Sequence, residues 1–227
     1  MVGTPSAMGK PYRPKDHYFR KAKQEGLRAR SAFKVEEILK RFTVVKKSHT
    51  VLDLGAAPGG FLQILADAVG PGGRVFGVDI VPIRPFTQPH VKTAVLDVLA
   101  DDFDAKLREL YDGPFDAVIS DMAPKTSGIR STDEARSLRL AGKALEIAVT
   151  RGRPGSTFVA KLFMGGDFQE FRDEIRAHFE DVKVVRPEAT RGASMEVYLV
   201  GLHRKAPATP TSGTPGPTSG ATGPKAS

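Results

Sequence analysis

The chain contains no cysteine. That count excludes a disulfide framework, a thiolate metal site and a thiol nucleophile, and it is compatible with a reducing compartment. No apolar run approaches the roughly 18 residues of a membrane-spanning helix, and no signal-peptide pattern opens the chain, so a cytoplasmic protein with no membrane partner is expected. The histidines, His17, His49, His90, His178 and His203, show no zinc-ligand spacing, and no metal is expected. A Ser-His-Asp arrangement, a phosphate-binding P-loop and the G-x-G-x-x-G dinucleotide fingerprint are also missing. There is no internal repeat, and a monomer is expected.

Positive charge is present, and it is unevenly placed. The net charge is +8 over 227 residues. Residues 10–34 hold nine basic side chains (Lys10, Arg13, Lys15, Arg20, Lys21, Lys23, Arg28, Arg30 and Lys34) against Asp16 and Glu25. The body that follows is close to neutral. A basic arm on a near-neutral body suits a polyanionic partner, although a solvated face would carry the same charges.

Composition marks the ends. Residues 1–15 are rich in Gly, Pro, Ser and Lys and read as a flexible segment. From residue 205 to residue 227 the chain is built almost entirely of Ala, Pro, Thr, Ser and Gly, with no large apolar side chain after residue 205. Nothing there offsets the entropy of ordering, so a disordered tail is expected. Residues 16–204, with a basic arm at 16–34, form the expected single domain.

Within that domain strand and helix patterns alternate. Ser31–Phe42 reads as an amphipathic helix, with Ser31 a candidate cap. Strands are expected at His49–Leu54, Arg74–Asp79, Val91–Leu96, Phe115–Asp121, Thr157–Phe163, Asp181–Val185 and Glu196–Leu202. Helices are expected at Gly60–Val69, Asp101–Leu110, Asp133–Arg151 and Phe168–Phe179. Such alternation predicts an α/β fold with a mainly parallel sheet covered on both faces. About ten residues join the last two strands, too few for a helical crossover, so they should pair antiparallel.

The stretch Val51-Leu52-Asp53-Leu54-Gly55-Ala56-Ala57-Pro58-Gly59-Gly60-Phe61 runs an apolar strand through a loop of small residues into a helix. Open α/β sheets bind ligands at that position, and small residues let a ligand approach the backbone. A dinucleotide would place a pyrophosphate on the helix N-terminus. S-adenosyl-L-methionine has no phosphate and carries a sulfonium cation, so a small-residue loop with acids nearby suits it better. Asp79, Asp97 and Asp121 follow or end three successive strands; Asp79 suits the two ribose hydroxyls and Asp97 the adenine amino group. Singly, each reads as a strand-end turn residue; together with the loop they read as a cofactor site. Asp53, inside the first strand, is expected to support the loop from below.

Lys161 interrupts the apolar run Phe158–Phe163, where a lysine needs a partner or a task. Lys34 follows Phe33 on the first helix, and Glu196 opens the last strand. Taken alone, Lys34 and Glu196 are ordinary surface residues.

Gly55-Ala56-Ala57-Pro58-Gly59-Gly60 with Asp79, the segment Ser120-Asp121-Met122-Ala123-Pro124 followed by Ser127-Gly128, and Lys34, Asp121, Lys161 and Glu196 in order resemble the FtsJ/RrmJ (RlmE) family of ribosomal RNA 2′-O-methyltransferases. Glu25 through Lys34, and Arg186-Pro187 through Tyr198, resemble it too. The resemblance covers about residues 16–204. It implies a Rossmann-like class I S-adenosylmethionine-dependent methyltransferase with a seven-stranded sheet ending in an antiparallel hairpin strand. It implies the catalytic set Lys34, Asp121, Lys161 and Glu196, with Lys161 as base. The implied cofactor contacts are Gly59, Phe61, Asp79, Asp97 and Asp121, with Phe61 standing where bacterial members often carry Trp. The implied substrate is a uridine in the A-loop of 23S rRNA, in the large ribosomal subunit or its late precursor. The same chemistry on tRNA or an mRNA cap is one alternative; a non-catalytic RNA-binding factor is another, which the intact set of four argues against.

The reading of the tail is directly testable. Deleting residues 206–227 is expected to leave the melting temperature and cofactor affinity unchanged, because the segment has nothing to pack. A drop of several degrees in a calorimetric scan would show that it docks.

Overall fold

The computed structural model describes residues 14–190 and 195–207. Of the flexible start expected at residues 1–15, residues 1–13 lie outside the described residues, while 14 and 15 open a helix; of the tail expected at 205–227, residues 208–227 lie outside them. Two helices come first, α1 (Pro14–Gln24) and α2 (Ala32–Arg41). Then follow β1 (Thr50–Leu54), α3 (Gly60–Val69), β2 (Arg74–Asp79), β3 (Val91–Val95), α4 (Phe103–Leu110) and β4 (Phe115–Ser120). The chain closes with α5 (Arg130–Arg151), β5 (Gly152–Phe163), α6 (Phe168–His178), β6 (Phe179–Val185) and β7 (Glu196–Arg204).

The seven strands form one sheet in the order β3-β2-β1-β4-β5-β7-β6. The first five in space run parallel, while β7 pairs antiparallel with both β5 and β6. The α/β, mainly parallel architecture with a closing antiparallel strand is thus the expected one. The chain leaves β1 toward β2 and β3, then returns to lay β4 on the other side of β1. A crevice opens at the carboxyl ends of β1 and β4, where this reversal occurs.

Register decides what gathers there. Leu54 pairs with Val78 and with Ser120, and Ser120 pairs with Ala160. Asp79, Asp121 and Lys161 therefore reach the same sheet edge. Because β7 runs antiparallel, Lys161 faces Tyr198 and Phe163 faces Glu196 in the ladder. The beginning of the last strand thereby joins the ends of the parallel ones.

Strand alternation sorts the core into two layers. Leu52, Leu54, Phe115, Val118, Phe158 and Ala160 pack on one face, with residues of α4, α5 and α6. Val51, Val75, Ile119, Val159, Tyr198 and Val200 pack on the other, with residues of α2 and α3. By the same alternation Asp53 and Lys161 face the second layer, the side on which α2 lies. Tyr18 and Leu27 pack against Phe33, Ala22 and Ala189, which docks α1.

Three local expectations differ from the structure. The basic arm contains a helix, α1, which begins at Pro14, a residue pre-set for the first helical turn. Ser31 stands at the start of α2 with helical torsion angles and no side-chain cap bond, so it does not act as the expected cap. β5 starts at Gly152, directly after α5, because Gly152 pairs with Phe115 ahead of a bulge.

The first layer is sensitive to cavities. Phe115 is fully buried, with its ring centroid 5.3 Å from that of Tyr111 and 6.1 Å from that of Phe76. Phe115→Ala is expected to lower unfolding stability by about 3–5 kcal/mol, the usual loss for a buried phenylalanine. Urea denaturation checks this; a loss under 1 kcal/mol would mean that the layer closes over the gap.

Candidate active site

The loop after β1 folds back on its neighbour strand, with Gly55 and Ala56 donating N–H bonds of 3.0 and 3.1 Å to the Val78 carbonyl. A Cβ on Gly55 would lie 2.7 Å from the Met122 side chain, so glycine lets the segment after β4 pass close by. Gly59 has φ of 105°, which favours glycine, and a Cβ there would stand 3.0 Å from both the Arg28 guanidinium and the Phe86 ring.

Arg28 explains that crowding. Its guanidinium lies 3.6 Å from the Phe86 ring centroid and donates to the carbonyls of Arg84 and Pro85. Its backbone N–H donates to Gln63 of α3 over 2.6 Å, and Gln63 donates back to the Gly26 carbonyl over 3.1 Å. A cation counted in the basic arm is therefore an internal fastening between the arm, α3 and the segment after β2. Its sequence carries no sign of this, because Phe86 lies 58 positions away.

Beside the loop a cavity of about 590 Å³ opens along the carboxyl ends of β1, β2 and β4. Asp79, Asp97 and Asp121 stand on its wall, with Leu96, Val98 and Met122 between them. Asp79 accepts N–H bonds from Ala57 at 2.9 Å and Val81 at 3.1 Å, one on each carboxylate oxygen. Each oxygen keeps a lone-pair direction for a ligand hydroxyl. Asp97 accepts from the Leu99 N–H at 2.9 Å. Gly59 and Phe61, expected at the cofactor, are not on this wall. The Phe61 ring is 3% exposed and packs into the second core layer, so it offers the cavity no stacking face.

The residues Lys34, Asp121, Lys161 and Glu196, far apart in the chain, are gathered in two bonded pairs. Lys161 Nζ donates to Asp121 twice, at 2.6 Å to the backbone carbonyl and 2.8 Å to Oδ1. Lys34 Nζ bonds Glu196 Oε2 at 2.9 Å. Both lysines are buried, at 9% exposure for Lys34 and 6% for Lys161.

Tyr198 was not singled out from the sequence, yet it joins the set. Its hydroxyl donates to Asp121 Oδ1 over 2.6 Å, the same oxygen that Lys161 uses. It lies two residues after Glu196 on one strand, and that spacing was the available signal. Burial, and then the Asp121 carboxylate, push the phenol well above its ordinary pKa, so it remains a donor.

Asp53 also departs from expectation. It is fully buried, and neither of its carboxylate oxygens has a hydrogen-bond partner among the described residues, so it makes no bond to the loop. Desolvation, followed by the charges of Asp121 and Asp79, holds its carboxyl well above the ordinary range.

Residues 27–204 match the family model described as FtsJ-like methyltransferase. The chain is 81% identical over 210 residues to the ribosomal RNA large subunit methyltransferase E of Myxococcus xanthus, covering 92% of this chain and 99% of that protein. It is 57% identical over 194 residues to the protein of the same name from an Anaeromyxobacter species, covering 86% of this chain and 70% of that one. Among solved structures, Aeropyrum pernix fibrillarin with natively bound S-adenosyl-L-methionine superposes with a TM-score of 0.55 at 17% identity, covering 76% of each chain. At that identity the likeness is one of fold.

The buried Asp53 has a consequence for stability. Its folded-state pKa is raised, so the folded chain keeps a proton that the unfolded chain loses above about pH 4. Stability contributed at low pH is therefore lost as pH rises from the ordinary carboxyl range toward the folded pKa. Asp53→Asn, close in shape and never ionised, is expected to gain on the wild type as pH rises above about 4. Parallel denaturation midpoints across that range would show that Asp53 ionises freely.

Proposed function

The chain belongs to the FtsJ-like methyltransferase family, and on that premise we propose that it methylates large-subunit ribosomal RNA at a ribose 2′-oxygen, with S-adenosyl-L-methionine as donor. The finer proposal is a uridine in the A-loop of 23S rRNA, in the large subunit or its late precursor. Residues 16–204 are the catalytic domain in this reading, and Lys34, Asp121, Lys161 and Glu196 are its catalytic residues.

The observation that carries the proposal is the buried Lys161, held twice by Asp121, a residue on the wall of an acid-lined cavity. The cavity's chemistry fits the cofactor. Asp79 has lone pairs for a ribose diol, Asp97 suits an amino or hydroxyl donor, Leu96 and Val98 offer apolar walls to an adenine ring, and the acids favour a cation. No phosphate-binding arrangement is required. When bound, the cofactor supplies an electrophilic methyl group on a sulfonium.

The chain's own residues then act on the nucleophile. A neutral lysine amine has two N–H donors and one lone pair. The two contacts with Asp121 use both donors, which turns the lone pair toward an incoming 2′-hydroxyl. Lys161 takes the hydroxyl proton as the carbon–oxygen bond forms. Asp121 fixes the direction of the amine, and Tyr198 fixes Asp121. In this reading Lys34, steadied by Glu196, stabilises negative charge growing on the oxygen. An RNA helix cannot present one ribose this deeply, so a splayed single-stranded loop is the fitting substrate.

The assignment is tested by supplying tritiated S-adenosyl-L-methionine with purified large subunits, free 23S rRNA or bulk tRNA. Label is expected in the large-subunit RNA, at a linkage resistant to alkali, because alkaline cleavage requires an unblocked 2′-hydroxyl. Label on tRNA, or on a base, would overturn it.

Lys161 tests the mechanism. In single-turnover methyl transfer, Lys161→Ala is expected to slow the reaction at least ~10²-fold, the scale of a lost general base. Cofactor and RNA affinities stay within a few-fold. Lys161→Arg is not expected to rescue, because a guanidinium stays protonated. A near-normal rate in the Ala variant would make Lys161 structural; if that variant does not fold, Lys161→Met provides the same comparison at closer volume.

A further inference from the structure

Several basic residues of the arm already have partners inside the protein. Arg28 is held by two carbonyls and a ring, Lys34 by Glu196, and Lys21 pairs with Glu25 at 3.8 Å. The structure places another group of cations on the opposite side of the site, at the rim of the cavity. These are Lys125, in the segment after β4, and Arg136 and Arg139, in the N-terminal half of α5. All three side chains are exposed.

Helix α5 supplies its own comparison. Its basic residues are Arg130, Arg136, Arg139, Lys143 and Arg151. Arg130 pairs with Glu134 at 2.7 Å, Lys143 with Glu146 at 2.8 Å, and Arg151 with Asp104 at 3.0 Å. Among the described residues, Arg136 and Arg139 form no ion pair, and neither does Lys125. The contact between them is a 3.4 Å bond from the Arg136 guanidinium to the Lys125 carbonyl, which brings two cations closer together. Asp133, whose charge Arg136 feels, is engaged elsewhere: it accepts from Ser127 N–H at 2.7 Å, Ser127 Oγ at 2.9 Å and Gly128 N–H at 3.2 Å.

Residues three apart share a helix face, so Arg136 and Arg139 repel one another unless an anion lies between them. The pairing pattern is therefore selective. Basic residues of α5 away from the cavity are neutralised by acids of the chain, and those on its rim are left for something external and anionic. A sulfonium does not meet that need. A phosphodiester does, and planar guanidinium groups match phosphate oxygens in pairs.

We propose that Lys125, Arg136 and Arg139 form a phosphate-contact track on the α5 side of the cavity, gripping the RNA strand that carries the reacting ribose. The inference rests on the RNA reading of the site and extends it. Helix α2, which ends the arm, packs on one face of the sheet and α5 on the other, so the track adds cations on the face that the arm does not cover.

The test uses the full chain and a fluorescent single-stranded RNA of mixed sequence, with anisotropy measured from low to moderate salt. Arg136→Gln with Arg139→Gln is expected to weaken binding about tenfold or more and to flatten the plot of log affinity against log salt. Two lost phosphate contacts correspond to about 1.4 in that slope, at roughly 0.7 each on single strands. Lys125→Gln adds a further decrease. Arg130→Gln and Lys143→Gln, which remove partnered cations of the same helix, leave the slope unchanged. S-adenosyl-L-methionine affinity by calorimetry is expected to stay within twofold in every variant.

An unchanged slope with weakened cofactor binding would overturn the proposal and assign these cations to the cofactor's carboxylate. An unchanged slope with unchanged cofactor binding would overturn it in favour of a solvated face. A wild-type chain with no salt-dependent RNA affinity would remove the RNA reading itself, a result distinguishable from either.

Discussion

The Asp121 carboxylate is the point on which the site depends. It stands at the crevice between β1 and β4, and one of its oxygens accepts from both Lys161 Nζ and the Tyr198 hydroxyl. An unpartnered lysine nitrogen in that apolar strand would be unfavourable, and so would an isolated carboxylate. Each makes the other tolerable, and the backbone carbonyl of Asp121 completes the arrangement. Two adjacent strands, β5 and β7, are thereby tied to a third by one acceptor, and the direction of the lysine is set before any substrate arrives.

The carboxylates of the same edge have different hydrogen-bond partners because their surroundings differ. Asp79 and Asp97 are held as acceptors by backbone N–H groups at the cavity surface, where a ligand also reaches them. Asp53 lies beneath, with no donor among the described residues, and there a proton replaces the missing partner.

Positive charge is sorted in a similar way. Its concentration in residues 10–34 suggests one uniform surface for a polyanion, yet the structure divides it. Arg28 fastens the arm against α3 and the segment after β2, with Gly59 fitted beneath it. Lys34 enters the site. Charge density along a chain does not say which side chains remain exposed after folding, since that depends on partners distant in sequence.

Much was legible in the residues alone. Alternating apolar periods located the strands and all but the first helix to within a few positions, because burial of one face or two imposes those periods. The small-residue loop and the acids after successive strands marked the cavity, since carboxyl ends of a parallel sheet converge wherever such a sheet forms. The lysine within Phe158–Phe163 announced itself by its cost. Helix α1 escaped notice because its polar, basic composition includes few apolar residues; what holds it is contact with Phe33 and Ala189. Tyr198, the unpartnered state of Asp53, the inward-facing Phe61 and the separation of paired from unpaired arginines on α5 were decided only by tertiary structure. Each depends on register between strands or on a neighbour many residues away. Sequence determined which residues had to be buried and which chemistry was available; the three-dimensional pairing determined which donors met which acceptors, because a hydrogen bond is settled within a few tenths of an ångström and no local pattern carries that information.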